Sequence, residues 1–228
     1  MKFNAFIITE KCDSSRFNTT KSNLERAFPN FFTIICHPYV HIDDPRIDTL
    51  PLLHLKIASS NLISFLDIWT KEIPKRSTSN KYQWSFIFED DVNFVNASAV
   101  SLSNFNEPLR ELMINSDIRE NDGFFYLGIC HATFDNDSQP LISNKTTSQL
   151  ISQKGCGLCR HATAITAKRA ELFWTAVSSY RPDLDYPIDH PIQKYCIRSG
   201  VHFYTFGTNL HSPFDSLQRG VAYQDPRR

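Results

Sequence analysis

The amino-acid sequence predicts an α/β fold, a layered sandwich in which helices flank a mostly parallel central sheet. Short apolar runs typical of buried strands recur along the chain, and segments with helical periodicity separate them. This alternation is the pattern of a sheet covered by helices. We expect residues 1–228 to form a single domain with an irregular tail over about residues 209–228.

The first half of the chain supplies the clearest elements. The run Phe3–Thr9 is short and apolar, as a buried strand should be. A long helix over residues 55–73 carries its apolar side chains at spacings of three and four, and Pro74 is expected to end it. In chain order we predict strands at residues 3–9, 31–36 and 84–88, helices at 22–27 and 55–73, and a loop at 37–51.

The second half continues the alternation of strands and helices. Thr166 and Asp189 are suited to cap helices, and Gly200 is suited to close the second of them. The segment from 132 to 154 is polar and is predicted to be a loop. In chain order we predict strands at residues 123–129, 161–165 and 201–206, a helix at 103–114, and helices that follow Thr166 and Asp189.

Composition excludes several classes of protein. The 24 basic and 24 acidic residues cancel, so no net field attracts nucleic acid and we expect no nucleic-acid partner. No apolar run approaches the roughly 18 residues of a membrane-spanning helix, so none is predicted.

The cysteines bear on the compartment. The apolar start of the chain is too short for the core of a signal peptide and lacks a cleavage pattern. Six cysteines in a chain large enough to build a core need not be cross-linked. We therefore expect reduced thiols and a cytoplasmic location, with the pair Cys156 and Cys159 structural or incidental rather than a metal or redox site.

The acidic cluster Glu89-Asp90-Asp91 is the main candidate site. It follows the apolar run 84–88, and adjacent carboxylates are costly beside a dry strand unless they meet water, hydrogen-bond donors or a cation. Mg²⁺ and Mn²⁺ take oxygen ligands and often bridge carboxylates to phosphates. A solvated acidic turn, a nuclease site and a phosphotransfer site fit the same pattern.

Four stretches of sequence, taken in order, resemble a known family. They are FIITEKCDSSR at the first strand, SNLISFLDIW in the long helix, FIFEDDVNF followed by FFYLG, and HATAITAKRAELFW followed by YPIDHPIQ. Their order and spacing over roughly residues 3–215 are similar to those of glycosyltransferase family 25, the lipooligosaccharide and procollagen galactosyltransferase-like enzymes. The resemblance implies a GT-A fold, a Rossmann-type sandwich.

The resemblance also implies an activity. It is the transfer, with inversion, of a sugar from a nucleotide diphosphate-sugar donor to a hydroxyl of a glycan or glycoprotein acceptor, with Mn²⁺ or Mg²⁺ as cofactor. Asp91 matches the metal-binding end of the family's acidic motif. Asp90 would contact the donor's ribose, or the metal through water, and Glu89 would support them at the donor site.

Residues outside the acidic cluster are candidates for the same reaction. Asp189 matches the family's Asp in a Pro-x-Asp stretch and would be the catalytic base, although an ordinary helix N-cap explains it equally well. His211 is a candidate metal ligand or a solvated loop histidine. Thr9, Arg16 and Lys56 are candidate donor-binding residues, and the two cations would offset diphosphate charge.

Two alternative functions stay open at the level of sequence. A metal-dependent nuclease or phosphotransferase would use the same acidic cluster, but it predicts a catalytic lysine soon after the acidic strand, and residues 92–100 contain none. A catalytically silent GT-A-like binding module is the second alternative. Departures from the family pattern, such as the absence of an Asn-Leu-Asp-Arg style run after the first strand, leave the donor sugar open.

Overall fold

A computed structural model gives the fold of the chain. It describes residues 2–47, 53–77, 80–94, 106–130, 139–140, 150–154, 158–177, 189–206, 219–220 and 222–224. The candidate ligand His211 and the pair Cys156 and Cys159 lie, in whole or in their side chains, outside this description. Of Asp189 the structure describes the backbone.

The structure alternates strands and helices from the first residues onward. The strands are β1 (Phe3–Thr9), β2 (Phe32–Pro38), β3 (Trp84–Glu89), β4 (Val92–Phe94), β5 (Phe124–Cys130), β6 (Gln139–Pro140), β7 (Leu150–Lys154), β8 (Leu158–Thr166), β9 (His202–Phe206), β10 (Arg219–Gly220) and β11 (Ala222–Gln224). The helices are α1 (Ser15–Ala27), α2 (Leu53–Asp67), α3 (Ile73–Arg76), α4 (Asn106–Ile114), α5 (Ala167–Val177) and α6 (Asp189–Ser199), with wide helical turns at Ile68–Glu72 and Ile118–Asp122.

Nine of the described strands form one large mixed sheet in the order β2-β1-β3-β8-β5-β9-β7-β6, with β10 paired to β5, and β4 and β11 form a separate two-stranded sheet. Strands β2, β1 and β3 are parallel neighbours, as are β5 and β9. Strand β8 enters between β3 and β5 and is antiparallel to both, so these two point the same way. The five strands β2, β1, β3, β5 and β9 thus share one direction with the short β6, as expected for a mostly parallel sheet, while β8, β7 and the short β10 oppose them.

Helices cover both faces of this sheet, which confirms the predicted α/β sandwich. Alternate residues of β1 enter two separate cores: Ala5 and Ile7 face one, and Phe6 and Ile8 the other. The first core, on the side of α1 and α4, is dominated by phenylalanine and includes Phe17, Phe28, Phe31, Phe32, Phe86, Phe88 and Phe125. The second, on the side of α2, α5 and α6, includes Leu62, Phe65, Trp69, Ile87, Phe124, Phe173 and Ile192.

Two helices differ in length from their predictions for identifiable reasons. Helix α1 begins at Ser15, well before residue 22, because the side chain of Ser14 caps it by accepting from the backbone N–H of Phe17 at 3.1 Å. The long helix does not end at Pro74. It continues through the wide turn Ile68–Glu72 into α3, where Pro74 occupies the first turn and its missing N–H is not needed.

Two segments predicted to be irregular contain strands. Leu150–Lys154, within the predicted loop, pairs with β9, and in the predicted tail residues 219–220 pair with β5 and residues 222–224 with β4. Their polar sequences carry no strand signal, and they become strands because ordered partners offer them backbone hydrogen bonds. Among the described residues, no helix is long and apolar enough to span a bilayer.

A buried polar network fixes the turn that leads into β5. The guanidinium of Arg169, only 6% exposed, donates to the backbone oxygens of Asn121 and Asp122 at 2.6 and 2.5 Å. The carboxylate of Asp122 accepts from the Tyr204 hydroxyl at 2.5 Å and from the backbone N–H of His202 at 2.9 Å. Helix α5 and strand β9 are therefore tied to the same turn.

Gly123 allows that turn to close, which leads to a stability prediction. Its φ is 62°, and a Cβ here would overlap Thr166 Oγ1 and lie 3.2 Å from Arg169 Cβ. Gly123→Ala should cost more than about 2 kcal/mol, the sum of backbone strain and the steric clash, measured by urea unfolding. Gly200→Ala is the control, because Gly200 is exposed and also has a positive φ of 67°, and it should cost about 1 kcal/mol. Equal losses in the two variants would contradict the steric argument.

Candidate functional site

The candidate site lies where the parallel strands β1 and β3 end side by side. Ile8 is paired with Glu89, so the next residues of the two strands, Thr9 and Asp90, meet at the edge of the sheet. The Thr9 hydroxyl donates to Asp90 Oδ2 at 2.7 Å. Both residues are buried, with exposures of 0% and 3%. A buried hydroxyl–carboxylate pair therefore lies at the carboxyl edge of the sheet, which is where ligands bind in α/β proteins.

Helix α1 brings a positive charge to this pair. Arg16 Nη2 lies 3.0 Å from Asp90 Oδ1 and 3.7 Å from Asp91 Oδ2, while its side chain stays 48% exposed. Thr20, one turn further along α1, donates from its hydroxyl to the backbone oxygen of Asp90 at 2.8 Å. The first turns of α1 are thus fastened to the acidic cluster by both a side-chain and a backbone contact.

The three carboxylates of the cluster point to different surroundings. Glu89 accepts a hydrogen bond from Asn61 Nδ2 of α2 at 3.1 Å. Asp90 points inward to Thr9. The side chain of Asp91 is 17% exposed, so of the two aspartates it is the one that reaches the surface. The three carboxylates therefore do not act as one block of charge, since α2 contacts Glu89, β1 and α1 both contact Asp90, and α1 also contacts Asp91.

Burial raises the pKa of the Asp90 carboxyl, and the Thr9 hydrogen bond and the charge of Arg16 act in the opposite direction. Burial also raises the pKa of Tyr39, and the negative charges of Glu89, Asp90 and Asp91 add to that effect. Tyr39 is therefore a neutral hydroxyl beside the cluster.

Tyr39 is a site residue that sequence reasoning missed. Its backbone N–H donates to the backbone oxygen of Thr9 at 2.7 Å, which extends the pairing of β2 and β1 by one residue and brings the ring to the sheet edge. In sequence Tyr39 lies in a proline-containing loop with no periodicity, so nothing there indicates its position. The partners Ser14, Thr20 and Asn61 were missed for a different reason, since polar residues on helices or at their ends are ordinarily solvent-exposed.

A disulfide between Cys12 and Cys36 joins the loop before α1 to strand β2, with the Cα atoms 5.6 Å apart. Cys196 is disulfide-bonded as well. The prediction of reduced thiols is therefore wrong for these cysteines. It failed because it was based on chain size, whereas the two sulfurs meet only once β1 and β2 have paired in register. The cytoplasmic location that accompanied it stays a prediction, and disulfides are more typical of oxidising compartments.

The structure brings some of the predicted site residues into contact and not others. Thr9, Arg16, Glu89 and the two aspartates come together as described above. Lys56 lies on α2, partly buried, five residues before Asn61 on the same helix. Asp189 is the first residue of α6, at the end of that helix remote from β9. His211 lies outside the described residues.

The described side chains do not form a complete metal cage. Within the ranges that the structure describes, no group of three or more His, Cys, Asp or Glu side chains is arranged to hold a metal ion. Mg²⁺ commonly keeps several waters and is bound through one or two carboxylates together with substrate phosphates. The surface-reaching Asp91 beside the cationic Arg16 fits an ion shared with a phosphate ligand, and it does not fit an ion held by protein alone.

Comparisons with known proteins add little to this picture. No protein-family model matches the chain, and no curated protein matches it. Among solved structures, the chain is similar to a crystal structure of a glycosyltransferase involved in the glycosylation of the major capsid of PBCV-1, with a TM-score of 0.41 and 10% sequence identity. The match covers 82% of this chain and 72% of that one. A likeness this slight carries no functional argument. The argument for a function therefore has to come from the site.

The disulfide beside the site should contribute measurably to stability. Its cysteines are 24 residues apart in sequence. A crosslink of that span lowers the entropy of the unfolded chain and so raises the free energy of unfolding by about 3 kcal/mol. The double variant Cys12→Ser with Cys36→Ser should lose about this much in urea unfolding. The double variant is preferred to a reducing agent, because Cys196 is also disulfide-bonded. An unchanged unfolding midpoint in the double variant would refute the prediction.

Proposed function

We propose that this chain is a metal-dependent, inverting glycosyltransferase of the family 25 type. It would move a sugar from a nucleotide diphosphate-sugar to a hydroxyl of a glycan or glycoprotein. The observation that carries the proposal is the convergence of Arg16 and Asp91 on the ends of β1 and β3, 3.7 Å apart. A diphosphate bound with a divalent cation needs one protein group of each sign, and this edge provides both.

The resemblance in sequence supports the same reading independently. The stretches that carry it include the strand ending in Thr9, the loop and helix bearing Arg16, and the strand ending in the acidic cluster. These stretches are separated by many residues in the chain, and in the folded protein their ends are in contact. A solvated acidic turn gives no reason for a buried partner on β1 and a cation on α1.

In the proposed reaction, Arg16 and an ion at Asp91 would each have a defined role. The bond between the sugar's anomeric carbon and the diphosphate oxygen breaks, and its electron pair stays on the diphosphate. The acceptor hydroxyl oxygen attacks that carbon from the opposite face, which inverts its configuration, and loses its proton to a base. Arg16 would stabilise the growing negative charge on the leaving diphosphate. A Mn²⁺ or Mg²⁺ ion at Asp91 would neutralise the same oxygens.

Asp90 has a positioning role in this proposal. With only 3% of its surface exposed and contacts to Thr9 and Arg16, it offers little surface to a donor. It orients the guanidinium of Arg16 and anchors α1 through its backbone oxygen. We therefore favour this role over the contact with the donor's ribose, and we propose the neutral hydroxyl of Tyr39 as an added hydrogen-bond donor at the edge.

The remaining candidates complete the proposal. Asp189, the first residue of α6, would take the proton from the acceptor hydroxyl. His211 would add a second ligand to the ion, and Lys56 on α2 would add positive charge near the donor. A phosphotransferase or a silent binding module would share the donor edge, so measurements of transfer distinguish them.

Removal of the proposed metal ligand gives the first functional test. Mn²⁺ with a nucleoside diphosphate at about 100 times its Kd should stabilise the protein by about 2.7 kcal/mol, which raises Tm by roughly 5–10 °C at this chain length. Asp91→Asn should abolish the shift, because an amide is a poorer ligand for a hard cation. Asp43→Asn, whose parent carboxylate is 73% exposed and outside the site, should keep it. If no nucleoside diphosphate gives a metal-dependent shift, the metal site does not exist.

Asp189→Asn separates the role of base from that of helix cap. Asparagine caps helices about as well as aspartate, so the stability and the donor-induced rise in Tm should be kept. An amide cannot accept a proton at neutral pH, so transfer should fall about 100-fold or more. Nucleoside diphosphate release from a panel of uridine and guanosine diphosphate sugars, with acceptor present, measures this. Unchanged turnover would leave Asp189 as a cap only.

A further inference from the structure

The last described strands return to the acidic cluster. Residues 219–220 and 222–224, which form β10 and β11, are called the strap below. Strand β10 pairs with Gly128 and Ile129, near the carboxyl end of β5. Strand β11 pairs with β4, which follows the acidic cluster directly, and it also lies close to β5 and β8. The strap therefore crosses the edge of the sheet at which Arg16 and Asp91 meet.

The register of β11 directs the chain toward Asp91. Because β11 is antiparallel to β4, Ala222 pairs with Phe94, and Gln224 pairs with Val92. Val92 is the residue after Asp91, so β11 advances along β4 toward the carboxylate that is proposed to hold the ion. The chain therefore leaves β11 beside Asp91.

Two arginines follow β11 at this point. Residues 225–228 have the sequence Asp-Pro-Arg-Arg and lie outside the described ranges. A residue before proline avoids the helical conformation, so this sequence favours an extended continuation of the chain. Four residues span at most about 14 Å, which bounds the distance of the backbone of Arg228 from Gln224. A tether this short holds both guanidinium groups at a high local concentration near the acidic cluster.

The charges in contact at this edge leave a bound diphosphate short of cations. Three carboxylates, those of Glu89, Asp90 and Asp91, face one guanidinium, so two negative charges are in excess. Arg16 is also shared, since its Nη2 lies 3.0 Å from Asp90 and 3.7 Å from Asp91. A divalent cation would offset the excess, and Lys56 would add one positive charge. The phosphate oxygens of a nucleotide need further cationic donors.

We propose that Arg227 and Arg228 bind the diphosphate of the donor and that the strap holds them at the site. A guanidinium stays charged at any working pH and donates two parallel N–H bonds to phosphate oxygens, which suits arginine to this task. The segment after β11 keeps a positive net charge even with Asp225 counted. This role rests on the proposed function, because it names groups that recognise the nucleotide diphosphate at the same edge.

Isothermal titration calorimetry of the full chain with Mn²⁺ and uridine, guanosine, adenosine or thymidine diphosphate measures this contribution. Arg227→Gln combined with Arg228→Gln should raise the Kd about tenfold or more, because a hydrogen bond to a charged group commonly contributes a factor of about ten. Arg227→Lys combined with Arg228→Lys keeps the charge and should recover part of the loss. The control, Lys194→Gln combined with Arg198→Gln, removes the same charge from exposed positions of α6 and should leave the Kd unchanged.

The salt dependence of the Kd distinguishes a direct contact with phosphate from a structural effect. Between about 50 and 500 mM NaCl, the glutamine variant should lose less affinity than the parent protein, because it has fewer charge contacts to screen. If the parent protein binds none of the four nucleotides with Mn²⁺, the proposed function fails and this inference fails with it. If the parent protein binds, and the glutamine variant has the same Kd or the same salt dependence, only the assignment of Arg227 and Arg228 is overturned.

Discussion

The arrangement of the sheet edge at Thr9 and the acidic cluster depends on one buried carboxylate. Asp90 receives the Thr9 hydroxyl from β1, the Arg16 guanidinium from α1 and, on its backbone oxygen, the Thr20 hydroxyl. A carboxylate that is 3% exposed is stable only with such partners, because burial disfavours its charged form. Because burying this charge costs free energy, the arrangement of strand, helix and turn around Asp90 is specific. Other arrangements would leave the carboxylate without hydrogen-bond donors. The buried Asp90 therefore also positions the surface residues of the site.

A feature of the fold or of the site could be predicted when a single segment of the sequence encodes it. The strands ending at Thr9 and Glu89 are continuous apolar runs, and the rule that parallel strands present their carboxyl ends together was enough to bring Thr9 and the acidic cluster to one edge. The direction of β8 was not predictable, because a strand covered on both faces reads the same in either orientation. Tyr39 and the Cys12–Cys36 pair depend on the register of β1 and β2, which no single segment encodes.

The two edges of the sheet differ in chemical character. The edge at Asp90 is charged and tightly cross-bonded, with a hydrogen bond or ion pair to nearly every polar group described there. The opposite edge borders a cavity lined by Trp69 and Trp174.

The Cys12–Cys36 crosslink has a practical consequence for how the protein is made. The loop that carries Ser14 and Arg16 toward the acidic turn is fastened to the sheet partly through sulfur. Protein produced in a reducing host, or assayed with a thiol reagent, would lack this crosslink and keep its phenylalanine core. The oxidation state of each preparation therefore belongs among its recorded assay conditions.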